Sequence, residues 1–259
     1  MVTKVALAAA IAATAILVFA AATYYYDNYP STSPNSSQPQ SPTDQADLNW
    51  AGYVATYSIS DPKPLVTQVS GSWVVPQIQS SQNDTFSAVW IGIGGFFGHT
   101  LIQTGTEQDC INGVIYYSAW FELLPAEAVT ITTIDISPGD TIKASVSLTI
   151  PSESVWSISI SDLSTGQSFR QEFFYDSSRL SAEWTVERPD VNNALSEIAD
   201  FGSVTLSNCT ATIDNEVAAI GHFPSIRLFM HDMEGTRLAD ASNLSNDGAS
   251  FTVRYLTAQ

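Results

Sequence analysis

The chain has 259 residues, 44% of them hydrophobic and 11% aromatic, and sets 9 Lys and Arg against 26 Asp and Glu for a formal net charge of −17. That length can bury a sizeable core, and that composition excludes both a disordered chain and a multi-span membrane protein. The excess of acid excludes nucleic acid as a partner, because the cations that neutralise phosphates and dominate such affinity are missing.

Val5 to Thr23 is an uncharged, mostly apolar run, which as a helix would extend roughly 28 Å and nearly cross a bilayer core. It is longer than a signal-peptide core of about 7 to 15 residues. Tyr24, Tyr25 and Tyr26 follow where an interfacial aromatic belt would lie, and Lys4 on the short amino-terminal side places the remainder outside. Residues 1–26 are expected to be a membrane anchor, with a cleaved signal ending near Ala20, Ala21 and Ala22 as the alternative. Residues 27–47 are rich in Pro, Ser, Gln and Asn without apolar periodicity and are expected to be a linker. Residues 48–259 form the domain proper. Sequons beginning at Asn35, Asn83, Asn208 and Asn243 fit export to an extracellular location.

From Leu48 onward the period is two. In Thr141 to Ile150, Ile142, Ala144, Val146, Leu148 and Ile150 face one way and Lys143, Ser145, Ser147 and Thr149 the other, the pattern of a half-buried antiparallel strand. Trp156, Ile158 and Ile160 alternate with serines, Ser164-Thr165-Gly166-Gln167 makes a turn, and Phe169 to Phe174 returns as the second arm of a hairpin. Similar runs occur from Trp50, Val66, Ala88, Val114, Ala182, Gly202, Ile226 and Phe251. About a dozen strands without an amphipathic helix predict an all-β fold of two stacked sheets; the only helical candidate is a turn near Asn193 to Ile198. Cys110 and Cys209 fit an oxidising compartment and are expected to form one disulfide, with two free buried thiols as the alternative. With no C-x-x-C spacing, a structural zinc site is not expected.

The common hydrolytic motifs H-E-x-x-H, G-x-S-x-G and D-[ST]-G are absent, and His99, His222 and His231 stand apart. Carboxylates and amides remain. In Ala182 to Glu187, Glu183, Thr185 and Glu187 share one face and Ala182, Trp184 and Val186 the other. Two strand glutamates are by default a solvated face. At roughly 13 Å apart they are too distant to act as a glycosidase pair. Gln103 follows an apolar pair after the glycine-rich stretch from Gly92 to Gly98, and Glu122 sits among aromatics, where desolvation would raise its pKa.

The segments Asn49-Trp50-Ala51-Gly52, Trp90-Ile91-Gly92-Ile93, Leu101-Ile102-Gln103-Thr104-Gly105, Ala119-Trp120-Phe121-Glu122, Ile136-Ser137-Pro138-Gly139-Asp140, Leu163-Ser164-Thr165-Gly166-Gln167 and Ala182-Glu183-Trp184-Thr185-Val186-Glu187 occur in this order. Together they resemble the eqolisins, the glutamic endopeptidases. The resemblance implies a concanavalin-like β-sandwich of two antiparallel sheets and a Gln/Glu catalytic dyad that maps onto Gln103 and Glu187. Trp50, Trp90, Glu107, Trp120 and Glu122 would line the same cleft. Glu183, on the same strand face but outside the dyad, would bind substrate or support the dyad from behind. No metal or cofactor is implied, the substrates would be proteins or peptides, and the chain would act as a monomer. Gly94 stands where fungal members usually carry Asp. Low Lys and Arg content suits an acid habitat, where carboxylates are neutral and few charges remain to repel; a surface kept acidic for solubility has the same composition. The rival reading is a non-catalytic surface lectin or adhesion module on the same sandwich. A glycosidase using Glu122 with Glu187 is a third.

Overall fold

A computed structural model of the chain describes residues 41–256 apart from Asn193. The expected anchor, residues 1–26, and most of the linker lie outside the described residues. Among the described residues no helix is long and apolar enough to cross a membrane.

The strands in chain order are β1 (Thr43–Asp47), β2 (Trp50–Thr56), β3 (Val66–Val74), β4 (Thr85–Ile93), β5 (Ile102–Ile111), β6 (Val114–Leu123), β7 (Val129–Thr130), β8 (Thr141–Ile150), β9 (Val155–Asp162) and β10 (Ser168–Phe174). There follow β11 (Ser181–Glu187), β12 (Asp190–Val191), β13 (Ala194–Leu195), β14 (Glu197–Ile198), β15 (Ser203–Ile213), β16 (Glu216–Ala219), β17 (Ser225–His231), β18 (Arg237–Ala241) and β19 (Phe251–Tyr255).

They form two sheets. The front sheet runs β1-β17-β2-β11-β4-β5-β6-β7. The back sheet runs β15-β3-β8-β9-β10, with β16 and β19 sharing the outer side of β15. Strand β18 bonds to both β17 and β19 and joins the sheets at one edge. Pairing is antiparallel except for β1 with β17 and β14 with β4.

Alternation explains the layers. One face of each sheet supplies the inter-sheet core, where Trp184 donates its indole N–H to Ser70 O (2.8 Å) and Trp73 to Thr106 Oγ1 (3.0 Å). Both large indoles are thus buried with their polar atom paired. The outer face of the front sheet is apolar as well: Trp50, Val54, Ala88, Trp90, Phe96, Leu101, Trp120, Ile226 and Leu228 form a second buried cluster. A polar residue on that face is therefore not in water.

The hairpin is found in the expected register, with Phe173 opposite Trp156 and Phe169 opposite Ile160. Asp162 fastens its turn by accepting from Ser164 N (2.8 Å) and Thr165 Oγ1 (2.6 Å), and Gly166 takes a φ of +79° that favours glycine.

Four expectations are corrected. Alternation in β8 holds through Leu148, but a register shift before Ile150 leaves that side chain 41% exposed. The helical candidate is extended instead: Ala194–Leu195 pair with Asp190–Val191, and Glu197–Ile198 run beside Thr85 and Phe86, so edge pairing outweighs a local propensity too short to nucleate a helix. Thr43–Asp47, read as the end of the linker, are edge strand β1. Finally, Cys110 and Cys209 are free buried thiols. Cys110 belongs to the front sheet, where Ser81 N donates to its Sγ (3.3 Å), and Cys209 to the back sheet. The Cys110 thiol is engaged locally instead, donating to Ser81 O (3.6 Å) while it accepts from Ser81 N.

Candidate active site

Every residue of β11 is buried. Ala182, Trp184 and Val186 enter the inter-sheet core, whereas Glu183, Thr185 and Glu187 face the second apolar layer. Register with β4 and β2 then separates the two glutamates. Glu187 lies opposite Ala88 and Trp50, and Glu183 opposite Gly92 and Val54. Neither is the solvated residue that a polar strand face predicts by default.

Glu187 is 3% exposed. Its Oε1 accepts from Asn49 Nδ2 (3.2 Å) and its Oε2 from Trp90 Nε1 (2.7 Å). Burial pushes its pKa up to about 8; the nearby Trp50 and Trp90 indoles oppose the rise, and the charges of Glu122 and Asp190 add to it. The Trp50 ring packs edge-on against Trp90 at 5.0 Å, and its own N–H has no partner of ordinary hydrogen-bond geometry.

On β5, alternation puts Gln103, Gly105, Glu107 and Asp109 on the cleft face. Gly105 is required there, because a Cβ would meet Val89 O and stand 2.6 Å from Trp90 Cβ. Gln103, 2% exposed, lies opposite Glu122 of β6 and donates from Nε2 to Glu122 Oε2 (2.6 Å), while its Oε1 is buried without a partner. Burial raises Glu122 to about 7, Gln103 opposing and the Glu107 charge adding. Glu107 is likewise raised to about 7 by burial, with Asp109 and Ser118 opposing. Asp109 is driven well above its usual range by burial and the Glu107 charge.

Gln103, Glu107, Trp120, Glu122 and Glu187, with Ala88, Ala128 and Pro189, line one cleft of about 30 Å³. Of the residues expected there, Trp50 and Trp90 do not line it; they stand behind Glu187. Glu183 is separate, accepting from Phe96 N (3.2 Å) beneath the glycine-rich segment, with burial raising its pKa to about 7. A larger cavity of about 560 Å³ opens beside Asp44 and Arg227. There Arg227 grips Asp44 with two bonds of 2.8 and 2.6 Å and holds its carboxyl below the usual range, so no strained acid is left for chemistry. His222 pairs with Glu216 at 2.8 Å and His231 Nδ1 lies 2.6 Å from Asp232 O; neither lines the cleft.

Three participants are not singled out by sequence reasoning. Asn49 appears only within a motif. Asp109 is visible only as the next residue on the face of Gln103 and Glu107. Arg188 adjoins Glu187 but carries no signal of its own.

The peptidase A4 family matches residues 48–255. The chain is 32% identical to aspergillopepsin-2 of Aspergillus niger over 233 residues, covering 80% of this chain and 77% of that protein. It is 28% identical to scytalidopepsin B of Scytalidium lignicola over 220 residues, covering 80% and 78%. The crystal structure of scytalido-glutamic peptidase with a transition state analog inhibitor shares the fold, with a TM-score of 0.68 at 23% identity over 81% of this chain and 99% of that one. Aspergilloglutamic peptidase of Aspergillus niger gives a TM-score of 0.59 at 32% identity over 66% of this chain and 99% of that one. The two-sheet sandwich, the match along nearly the whole described domain and the buried carboxyl-lined cleft lead to one conclusion: the chain belongs to the peptidase A4 family, the eqolisins, and is a hydrolase of the glutamic endopeptidase type.

Proposed function

We propose that the chain is an acid-active endopeptidase that cleaves protein and peptide substrates outside the cell, with Gln103 and Glu187 as its catalytic pair. The observation that carries this reading is their convergence. Strands β5 and β11, on either side of β4, bring both side chains to one cleft of about 30 Å³, room for a water or two at about 10 to 15 Å³ each. Glu187 as carboxylate draws a proton from a water placed on the scissile carbonyl and returns it to the departing amine. Gln103 donates an amide N–H to the developing oxyanion.

The acid dependence rests on Glu122. When ionised, it holds the Gln103 N–H in a charge-assisted bond and adds negative charge where the oxyanion must form. When protonated, it donates instead to the unpartnered Gln103 Oε1; the amide turns over and its N–H is free for substrate. Protonation also removes a neighbouring charge that opposes ionisation of Glu187, while Asn49 and Trp90 continue to favour it. Burial holds Glu187 at about 8 in the free protein, so its carboxylate is a minor form at pH 2 to 5. Acid activity therefore requires bound substrate, with the donors Asn49 and Trp90, to favour the ionised form. Because the carboxyls titrate as a cluster, the two limbs of the activity profile belong to it jointly. Action outside the cell is supported by the apolar run of residues 5–23.

The test is to incubate the domain from residue 41 with denatured protein between pH 2 and 5, beside Glu187→Gln and Gln103→Ala. Cleavage by the parent and none by Glu187→Gln is expected. Equal cleavage by both overturns the dyad, and no cleavage by the parent, with sugar binding instead, favours the lectin reading.

A further inference from the structure

Arg188 follows Glu187 on the chain, is 1% exposed, and does not line the cleft. Its backbone N–H donates to Asn49 O (2.8 Å) and its Nη2 to Leu48 O (2.9 Å). Both carbonyls of the two-residue link between β1 and β2 are thereby held by one residue. From the other side, Asp47 Oδ1 accepts from Asn49 N and Trp50 N, each at 2.9 Å. The link exists at the point where Asn49 sends its Nδ2 to Glu187 Oε1, a 3.2 Å bond near the long end of the useful range. A small displacement of the link would break it.

The guanidinium is poorly provided for as a structural group. Its Nε is buried with no partner, as is Asp190 Oδ1. Burial lowers its pKa, and the charges of Asp232 and Asp190 only oppose this. A buried cation so sparsely hydrogen-bonded adds little to stability, and an apolar residue of the same volume often replaces such a group neutrally or favourably. Packing alone therefore gives a poor account of it.

We propose that Arg188 is a positioning residue: by fastening the Leu48–Asn49 link it keeps the Asn49 amide on Glu187 Oε1 and so sets how far into acid the catalytic carboxylate stays ionised. The inference rests on Glu187 acting as the base. The charged groups facing Glu187 are Glu122 of β6, Glu107 of β5 and Asp190 after β11; β4 and β2 present Ala88, Trp90 and Trp50. All three charged groups are acids, so the ionised form is favoured by neutral donors: the Trp90 and Trp50 indoles and, on Oε1, the Asn49 amide that the link positions.

The experiment compares kcat/KM from pH 2 to 7 for wild type, Arg188→Met, Asn49→Ala and the double variant, with unfolding measured for each. Arg188→Met should keep or raise the melting temperature while its acid limb moves up by about 0.5 to 1 pH unit, the loss of one donor to a charged group. Activity at the foot of that limb should fall roughly three- to tenfold. Asn49→Ala should show the same shift, and the double variant no more than either. An unmoved limb in Arg188→Met, or shifts that add in the double variant, overturns the inference. If Arg188→Met does not fold, Arg188→Lys decides: it keeps the charge but not the geometry, so a shifted limb supports the role and an unshifted one overturns it. Glu187→Gln is measured alongside; if it stays active the base assignment has failed, whereas an inactive Glu187→Gln with an unmoved Arg188→Met limb refutes only the role of Arg188.

Discussion

Glu183 offers a measurement of what burial of carboxyls does to this fold. It is fully buried, accepts from Phe96 N, and has its second oxygen unpartnered. Burial raises its pKa from 4.5 to about 7. At about 1.4 kcal/mol per pH unit, ionising this one group in the folded state costs about 3 kcal/mol. The folded value is the higher one, so the stabilisation is fully present below the unfolded value of about 4.3 and is lost as pH rises through about 7. Glu183→Gln replaces the protonated acid with a neutral amide of nearly the same shape, which cannot ionise. Thermal unfolding at pH 4 and pH 8, with both proteins in the Glu187→Gln background to prevent self-cleavage, should show the parent losing more stability than the Glu183→Gln variant by about 3 kcal/mol. For a domain of this size that is a difference of roughly 6 to 12 °C. At pH 4 the two should differ by about 1 kcal/mol or less. Parallel stability curves would refute the reasoning, since they would mean that Glu183 ionises in the fold without penalty.

Glu187→Gln should lower kcat by about 10² to 10⁴ and Gln103→Ala by about 10² to 10³, with the double variant scarcely worse than the poorer single one and Glu183→Gln far more active than either; steady-state kinetics on a fluorogenic peptide decide this. Glu122→Gln, which cannot ionise, should move the alkaline limb of the pH profile above the region near 7 set by Glu122, and an unmoved limb would sink the proposed amide turnover. Gly105→Ala should destabilise by about 2 kcal/mol or more through its clash with β4, read by urea unfolding. Cys110 and Cys209 should resist alkylation in the native protein and both react once it is unfolded without reductant; an intact disulfide in unreduced mass spectra would contradict the two-thiol structure.

Strand positions and the hairpin turn were legible in the sequence because both are local properties. Alternation from Ile142 to Leu148 fixes which side chains can be buried, and Gly166 after Asp162 fixes where the chain can reverse. The order of short motifs carried the family. What the sequence could not show is the environment on the far side of a strand. The polar face of β11 reads as solvated, yet both its glutamates are buried, because Trp50, Trp90 and Phe96 from other segments cover the front sheet. Burial on both faces turns ordinary glutamates into acids titrating near 7 to 8. The exposed end of β8 and the extended stretch around Ala194 depend on a bulge and an edge, neither of which leaves a pattern in nearby residues. The site itself is of the same kind. Gln103, Glu122 and Glu187 meet only because β4 lies between β5 and β11 and β6 follows β5. That order is decided by long-range pairing, which tertiary structure alone supplies.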